Sequence, residues 1–208
     1  MILHRPLDHI FSARSQVAVL RVLLDSAHGL TGREIARQAG MNHQACIEAL
    51  TRLETLGLLR RQRGGRAHLF TINRDHELMA KGIVPLLRIE REFREQLKEM
   101  LRRKFQGVVL SGAIFGSVAR REEAPGSDLD VCLVVASLHA KEKAHTLAQE
   151  LAPTIWQRYG ARLAPVILTR NDLRRRNARR DPLVRNLLRE ADSFVGGRLT
   201  EYLDDQKD

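Results

Sequence analysis

Two kinds of hydrophobic spacing alternate along the chain. In "RSQVAVLRVLLDSAHGL" the apolar positions 17, 20, 23 and 24 form a helical stripe that ends in a His-Gly turn. In "TGREIARQAG" Thr31 and Glu34 form a capping-box pair, Ile35 and Ala36 face inward, and Gly40 stops the helix. Asn42 then caps "NHQACIEALTRLETLG", whose apolar positions 46, 49, 50, 53 and 56 share one face before Gly57. The pattern next shortens to strands at Leu58–Gln62 and Ala67–Ile72, around a tight Gly64-Gly65 turn. From His76 to Phe105 helical spacing returns, with a kink or restart at Pro85 and an apolar face of Leu86, Leu87, Ile89, Phe93, Leu97 and Leu101. Beyond it, "GVVLSGAIF" and "SDLDVCLVV" read as buried strands, and a helix, a third strand at 161–169 and further helices follow.

Composition narrows the class. With 43% hydrophobic residues in 208, a packed core is expected, and no apolar run approaches the ~20 residues of a membrane helix. The N-terminus lacks a signal-peptide layout, so the expected location is the cytoplasm. Cys46 and Cys132 sit in core-like runs and read as small buried hydrophobes, while the eight histidines show no metal-ligand spacing. The net charge of +10 is unevenly spread: residues 1–105 hold 19 Lys/Arg against 11 Asp/Glu, and residues 106–208 hold 16 against 14. That excess directs the N-terminal half toward a polyanion, DNA above all.

Two helices joined by a Gly-containing turn and followed by a hairpin resemble the winged helix-turn-helix domains of bacterial transcription regulators, over roughly residues 11–75. The resemblance implies DNA binding. Asn42, His43 and Gln44 would meet base edges at the start of the second helix, and Arg60, Arg61, Arg63 and Arg66 on or beside the wing would reach phosphates or the minor groove. Ile47 and Glu48 fall on the face that should meet DNA, where a glutamate opposes phosphate. The apolar face of the long helix fits either packing between domains or a homodimer through residues 86–105.

The C-terminal half carries a denser motif. Gly116-Ser117 follows an apolar strand and opens the short helix "SVARRE"; glycine lets a phosphate approach the backbone, and free N–H groups and a hydroxyl can hold it. After the Pro125-Gly126 loop, Asp128 and Asp130 stand two apart at a strand start, so both carboxylates converge on one face. Paired carboxylates repel unless a cation lies between them, and hard oxygen ligands suit Mg²⁺ that also holds phosphates.

Gly116, Ser117, Ala119, Arg120, Glu122, Ser127, Asp128 and Asp130 resemble, position by position, the minimal nucleotidyltransferases of the DNA polymerase β superfamily; Arg121 stands where glycine is frequent. The resemblance covers about residues 106–170. It implies transfer of a nucleoside monophosphate from an NTP to an acceptor hydroxyl, with Asp128 and Asp130 as metal-holding catalytic residues and Gly116, Ser117, Arg120 and Ser127 on the nucleotide. The family's third carboxylate is expected on the strand at 161–169, which contains no acid; Asp172 lies beyond it and starts the next helix. A two-metal site is therefore expected to be incomplete. Eight arginines between Arg170 and Arg189 fit an anionic acceptor, an extended DNA surface or a solvated face.

The expected fold is mixed α+β and α/β: a winged helix-turn-helix domain over 1–75, a connecting helix over 76–105, and a polymerase-β-like nucleotidyltransferase domain with a small mixed sheet over 106–208. The leading functional expectation is a DNA-binding transcriptional regulator whose second domain binds NTP·Mg. The alternative is an antitoxin-type or small-molecule nucleotidyltransferase that modifies a protein or hydroxylated acceptor and uses the winged helix for recognition or autoregulation.

Overall fold

The computed structural model describes residues 3–65 and 67–203. The chain divides into two compact units, Met1–Phe93 and Arg94–Asp208.

The first unit begins with α1 (Pro6–Ile10) and α2 (Arg14–Leu23), then β1 (Leu30–Thr31), α3 (Gly32–Gln38) and α4 (His43–Thr55). The hairpin of β2 (Leu59–Gly64) and β3 (Ala67–Ile72) follows. The caps lie where the side-chain chemistry predicts them. Thr31 Oγ1 accepts from the Glu34 N–H at 3.3 Å while Glu34 returns a bond to the Thr31 N–H at 2.8 Å, and Asn42 Oδ1 accepts from the Ala45 N–H at 2.8 Å. The apolar stripes bury Leu20, Leu23, Ile35, Leu50 and Leu53 in one core. Two short elements escaped the periodicity: α1, opened by Pro6, and β1, which joins the hairpin in a sheet of order β1-β3-β2 with Leu30 opposite Phe70. Elements of two to five residues contain too little of a period to register.

A π-helical turn, Met79–Ile83, leads into α5 (Val84–Phe105), so the helix restarts at Pro85 with proline in its first turn, where no N–H is required. Val84 and Leu87 belong to the first core, and Leu97, Leu101 and Phe105 to the second.

In the second unit β4 (Ser111–Ile114), α6 (Gly116–Arg120), β5 (Leu129–Val135), α7 (Leu138–Tyr159), β6 (Leu163–Thr169), α8 (Arg170–Ala178), α9 (Pro182–Glu190) and β7 (Asp192–Gly196) follow in order. The sheet runs β6-β5-β4-β7, with β5 parallel to β6 and the other pairs antiparallel. β4 is shorter than the apolar run that predicted it, because Gly107, at φ +80°, lies in the turn that leaves α5. The tail holds a strand, β7, as well as the helices expected there. It closes the sheet with Asp192 opposite Ile114.

Alternation in β5 sets the two faces. Leu129, Val131, Leu133 and Val135 pack with α5 and α7, and Phe105 of α5 lies against Phe194 of β7 with ring centroids 6.4 Å apart and planes tilted by 45°. Cys132 and Val134 pack on the opposite side with Leu173, Val184 and Leu187 of α8 and α9. Both cysteines are buried and unpaired, as small hydrophobes, and burial pushes the Cys132 thiol up to about 12. No helix among the described residues is long and apolar enough to cross a membrane.

Candidate nucleotide site and nucleic-acid interface

Asp130 shares the parity of Cys132, so it lies on the α8/α9 side of the sheet, at the end where β5 begins, and Asp128 immediately precedes the strand. Asp128 is exposed and Asp130 half-buried. Partial burial raises the Asp130 carboxyl above the ordinary carboxylate range, the charge of Asp128 raises it further, and the Arg120 guanidinium pulls the other way. The two carboxylates are thus close enough to repel.

Gly116 meets this pair directly. The Phe115 N–H donates to the Asp130 carbonyl at 3.0 Å, which brings the end of β4 against the start of β5. Gly116 follows with φ +72°, and a Cβ there would collide with Asp130 Oδ2 and lie 3.2 Å from its Cγ. Only a residue without a side chain fits both the left-handed backbone and the contact. The Gly-Ser turn and the Asp-x-Asp pair, twelve residues apart in the chain, thus meet in the structure.

Arg120, at the end of α6, bridges three acids. Its Nε donates to Glu122 and its Nη1 to Glu190 Oε1, each at 2.8 Å, while its charge reaches Asp130. Glu190, at the end of α9, is the residue that sequence reasoning missed. Its side chain is only 9% exposed, and Oε2 has no hydrogen bond among the described residues. No local motif marks it, since its partner lies seventy positions away. Ser127 closes the Pro125-Gly126 loop: its hydroxyl accepts from the Ala124 N–H at 3.0 Å. Arg121 has φ +61° and terminates α6, which explains why glycine is frequent at this position.

The neighbouring strand supplies no third acid. β6 runs parallel to β5 with Ala164 opposite Asp130, and a methyl group stands where a carboxylate would complete the set. Asp172 is spent on the Thr169 capping box of α8. No group of three or more His, Cys, Asp or Glu side chains that could hold a metal gathers among the described residues. The chemistry of two carboxylates would suit a single Mg²⁺, with water and phosphate oxygens of a ligand completing its coordination. When bound, such an ion would offset charge on the phosphates.

In the first unit α4 is the second helix of the motif and carries the three residues expected at base edges. The Asn42 carboxamide is committed to its cap, His43 is exposed, and Gln44 donates to Glu48 at 3.1 Å. Ile47 is half-buried against Gly32, so Glu48 is the exposed member of the pair. A groove of about 590 Å³ lies between α3, α4 and the hairpin, lined by Arg33, His43, Ile47, Arg61, His68 and Phe70 among others. Arg60 pairs with Asp75, and Arg61 with Glu54 at 3.0 Å; Arg63 is exposed on β2. Arg66 lies outside the described residues.

Fold and site together define a winged helix-turn-helix domain joined to a nucleotidyltransferase domain with a small mixed sheet. Comparison with known families gives the same pair: residues 13–68 match the MarR family and residues 94–189 match the Nucleotidyltransferase domain family. The first is a domain of DNA-binding regulators. No curated protein matches the chain. Among solved structures, a mutant of Lactococcus lactis ZitR is 18% identical over 45% of this chain, with a TM-score of 0.33. The match spans 60% of the ZitR chain. The PcaV transcriptional regulator from Streptomyces coelicolor, in complex with its natural ligand, is 22% identical over 46% of this chain and 75% of its own, with a TM-score of 0.31. At these values the likeness adds nothing to the family matches.

Proposed function

We propose that the protein is a cytoplasmic transcriptional regulator that binds DNA through its winged helix and an NTP·Mg complex through its second domain. The observation that carries the nucleotide half is the contact of the Gly116 backbone with the Asp130 carboxylate. It joins a phosphate-approach glycine to a paired-carboxylate cation site. Asp128 and Asp130 hold the ion, Gly116 and Ser117 admit the phosphates, and Arg120 stands beside them with a positive charge. Transfer of the nucleoside monophosphate to an acceptor hydroxyl is slow in this reading. Ala164 replaces the carboxylate that would assist deprotonation of the acceptor.

The DNA half rests on the exposed start of α4, on Arg63 and on the charge excess of residues 1–105. Leu86, Ile89 and Phe93, each about half exposed on α5, supply a face for a second copy, as symmetric readers of DNA half-sites use. Binding of the purified protein to its own upstream DNA at graded salt tests this half. We expect affinity to fall steeply with salt and to weaken roughly ten-fold in Arg63→Ala plus Arg66→Ala. No affinity at low salt, or affinity unchanged in the variant, would exclude it.

A further inference from the structure

The arginines of the tail are not spread evenly over a solvated face. Arg180, Arg185 and Arg189 line an open, solvent-facing cavity of about 390 Å³ beside α8 and α9, whose lining is completed by Asn177, Asp181 and Leu188. The one acid in that lining does not neutralise them. Asp181 Oδ1 caps α9 by accepting from the Leu183 N–H at 2.8 Å, and Oδ2 lies 3.6 Å from Arg176. Among the described residues Arg189 makes only long contacts, 3.4 Å to Asn186 Oδ1 and 3.6 Å to Glu190 Oε2. Arg180 and Arg185 have no acidic partner among the described residues.

Two features of this cluster work against stability. Arg185 and Arg189 stand four apart on one helix, a like-charge pair that disfavours the helix. Arg180 adopts φ +55° at the α8–α9 bend, a left-handed position that glycine or asparagine fills at lower cost. Arg180 and Arg185 thus face one concavity with no acidic partner among the described residues, and Arg189 beside them has only a long contact with Glu190, so the concavity offers positive charge to an anion.

We propose that this cavity is a binding site for a small phosphate-bearing molecule. The guanidinium forks match phosphate oxygens two at a time, which favours phosphate over an anion with a single oxygen to offer. The volume lies in the range of small-molecule sites, with room for a phosphate and a sugar-sized body, and Leu188 gives that body an apolar wall. The lining shares no residue with the carboxylate pair, although Arg189 contacts Glu190, which pairs with Arg120 beside that pair; the proposal does not depend on the nucleotide reading above.

Calorimetric titration of the full chain at fixed ionic strength tests the proposal, with ribose 5-phosphate, inorganic pyrophosphate and uncharged ribose as probes. We expect ribose 5-phosphate or pyrophosphate to saturate a single site, and ribose to give no signal. Binding should weaken at least ten-fold in Arg180→Gln plus Arg185→Gln, and in Arg185→Gln alone by a smaller factor, both positions being exposed and free of core contacts. It should be unchanged in Asp130→Asn. Failure of both phosphates to saturate, or equal affinity in the double variant, would overturn the proposal. Loss in Asp130→Asn alone would also overturn it, by moving the phosphate to the carboxylate pair.

Discussion

Gly116 is the residue on which the candidate site turns, because its missing side chain leaves room for the Asp130 carboxylate. In Gly116→Ala the new methyl group meets that carboxylate and the backbone must hold φ +72° with a side chain present. Both effects destabilise the second unit. A cost of about 2 kcal/mol follows from left-handed strain plus contact, equivalent to a melting temperature lower by roughly 5–10 °C in thermal denaturation. Unchanged melting would mean that the turn relaxes and that the contact is not tight. Arg121 presents the opposite case: a side chain occupies a left-handed position that has no need of one. Arg121→Gly should raise the melting temperature by a few degrees, because strain relief of about 1 kcal/mol exceeds the flexibility gained by the unfolded chain.

Elements explain which parts of the fold could be read in advance. Helices α2 to α4 were legible because their apolar stripes and the caps at Thr31 and Asn42 agree with one another. The Asp-x-Asp strand was legible because both aspartates interrupt an apolar run at the same parity. Strand β7 was not, since "DSFVG" shows little alternation and depends on β4 for every ladder bond. Glu190 was invisible for a related reason, as its close hydrogen bond is to Arg120 on another helix. Ala164 shows the limit from the other side: the absence of acid from 161–169 could be read in the sequence, yet the residue facing Asp130 emerged only from the register of β5 with β6.

Asp172 provides a test at the scale of its helix. Its carboxyl is held below the ordinary range, first by the Thr169 hydroxyl and backbone and also by Lys141 and Arg175. A carboxylate with a depressed folded-state value stabilises the fold above its unfolded value and loses that contribution as pH falls through the folded one. Asp172→Ala should therefore lower the melting temperature by about 2 °C near neutrality, with the gap closing as pH drops below about 4. A gap that persists unchanged in acid would assign the effect to packing instead of charge.

At the scale of the whole molecule, the chain carries a domain of DNA-binding regulators and a nucleotidyltransferase domain, and the positive charge is concentrated in residues 1–105. In the function proposed for the second domain, a paired carboxylate lacking a third acid would hold a metal–nucleotide complex because the nucleotide would supply the remaining ligands. One measurement tests it most directly: calorimetric titration of ATP and of GTP, with and without Mg²⁺, into the wild type and Asp130→Asn. Saturable binding that requires Mg²⁺ in the wild type and weakens at least ten-fold in Asp130→Asn is the predicted result. Binding that is equal in the two proteins and indifferent to Mg²⁺ would contradict it.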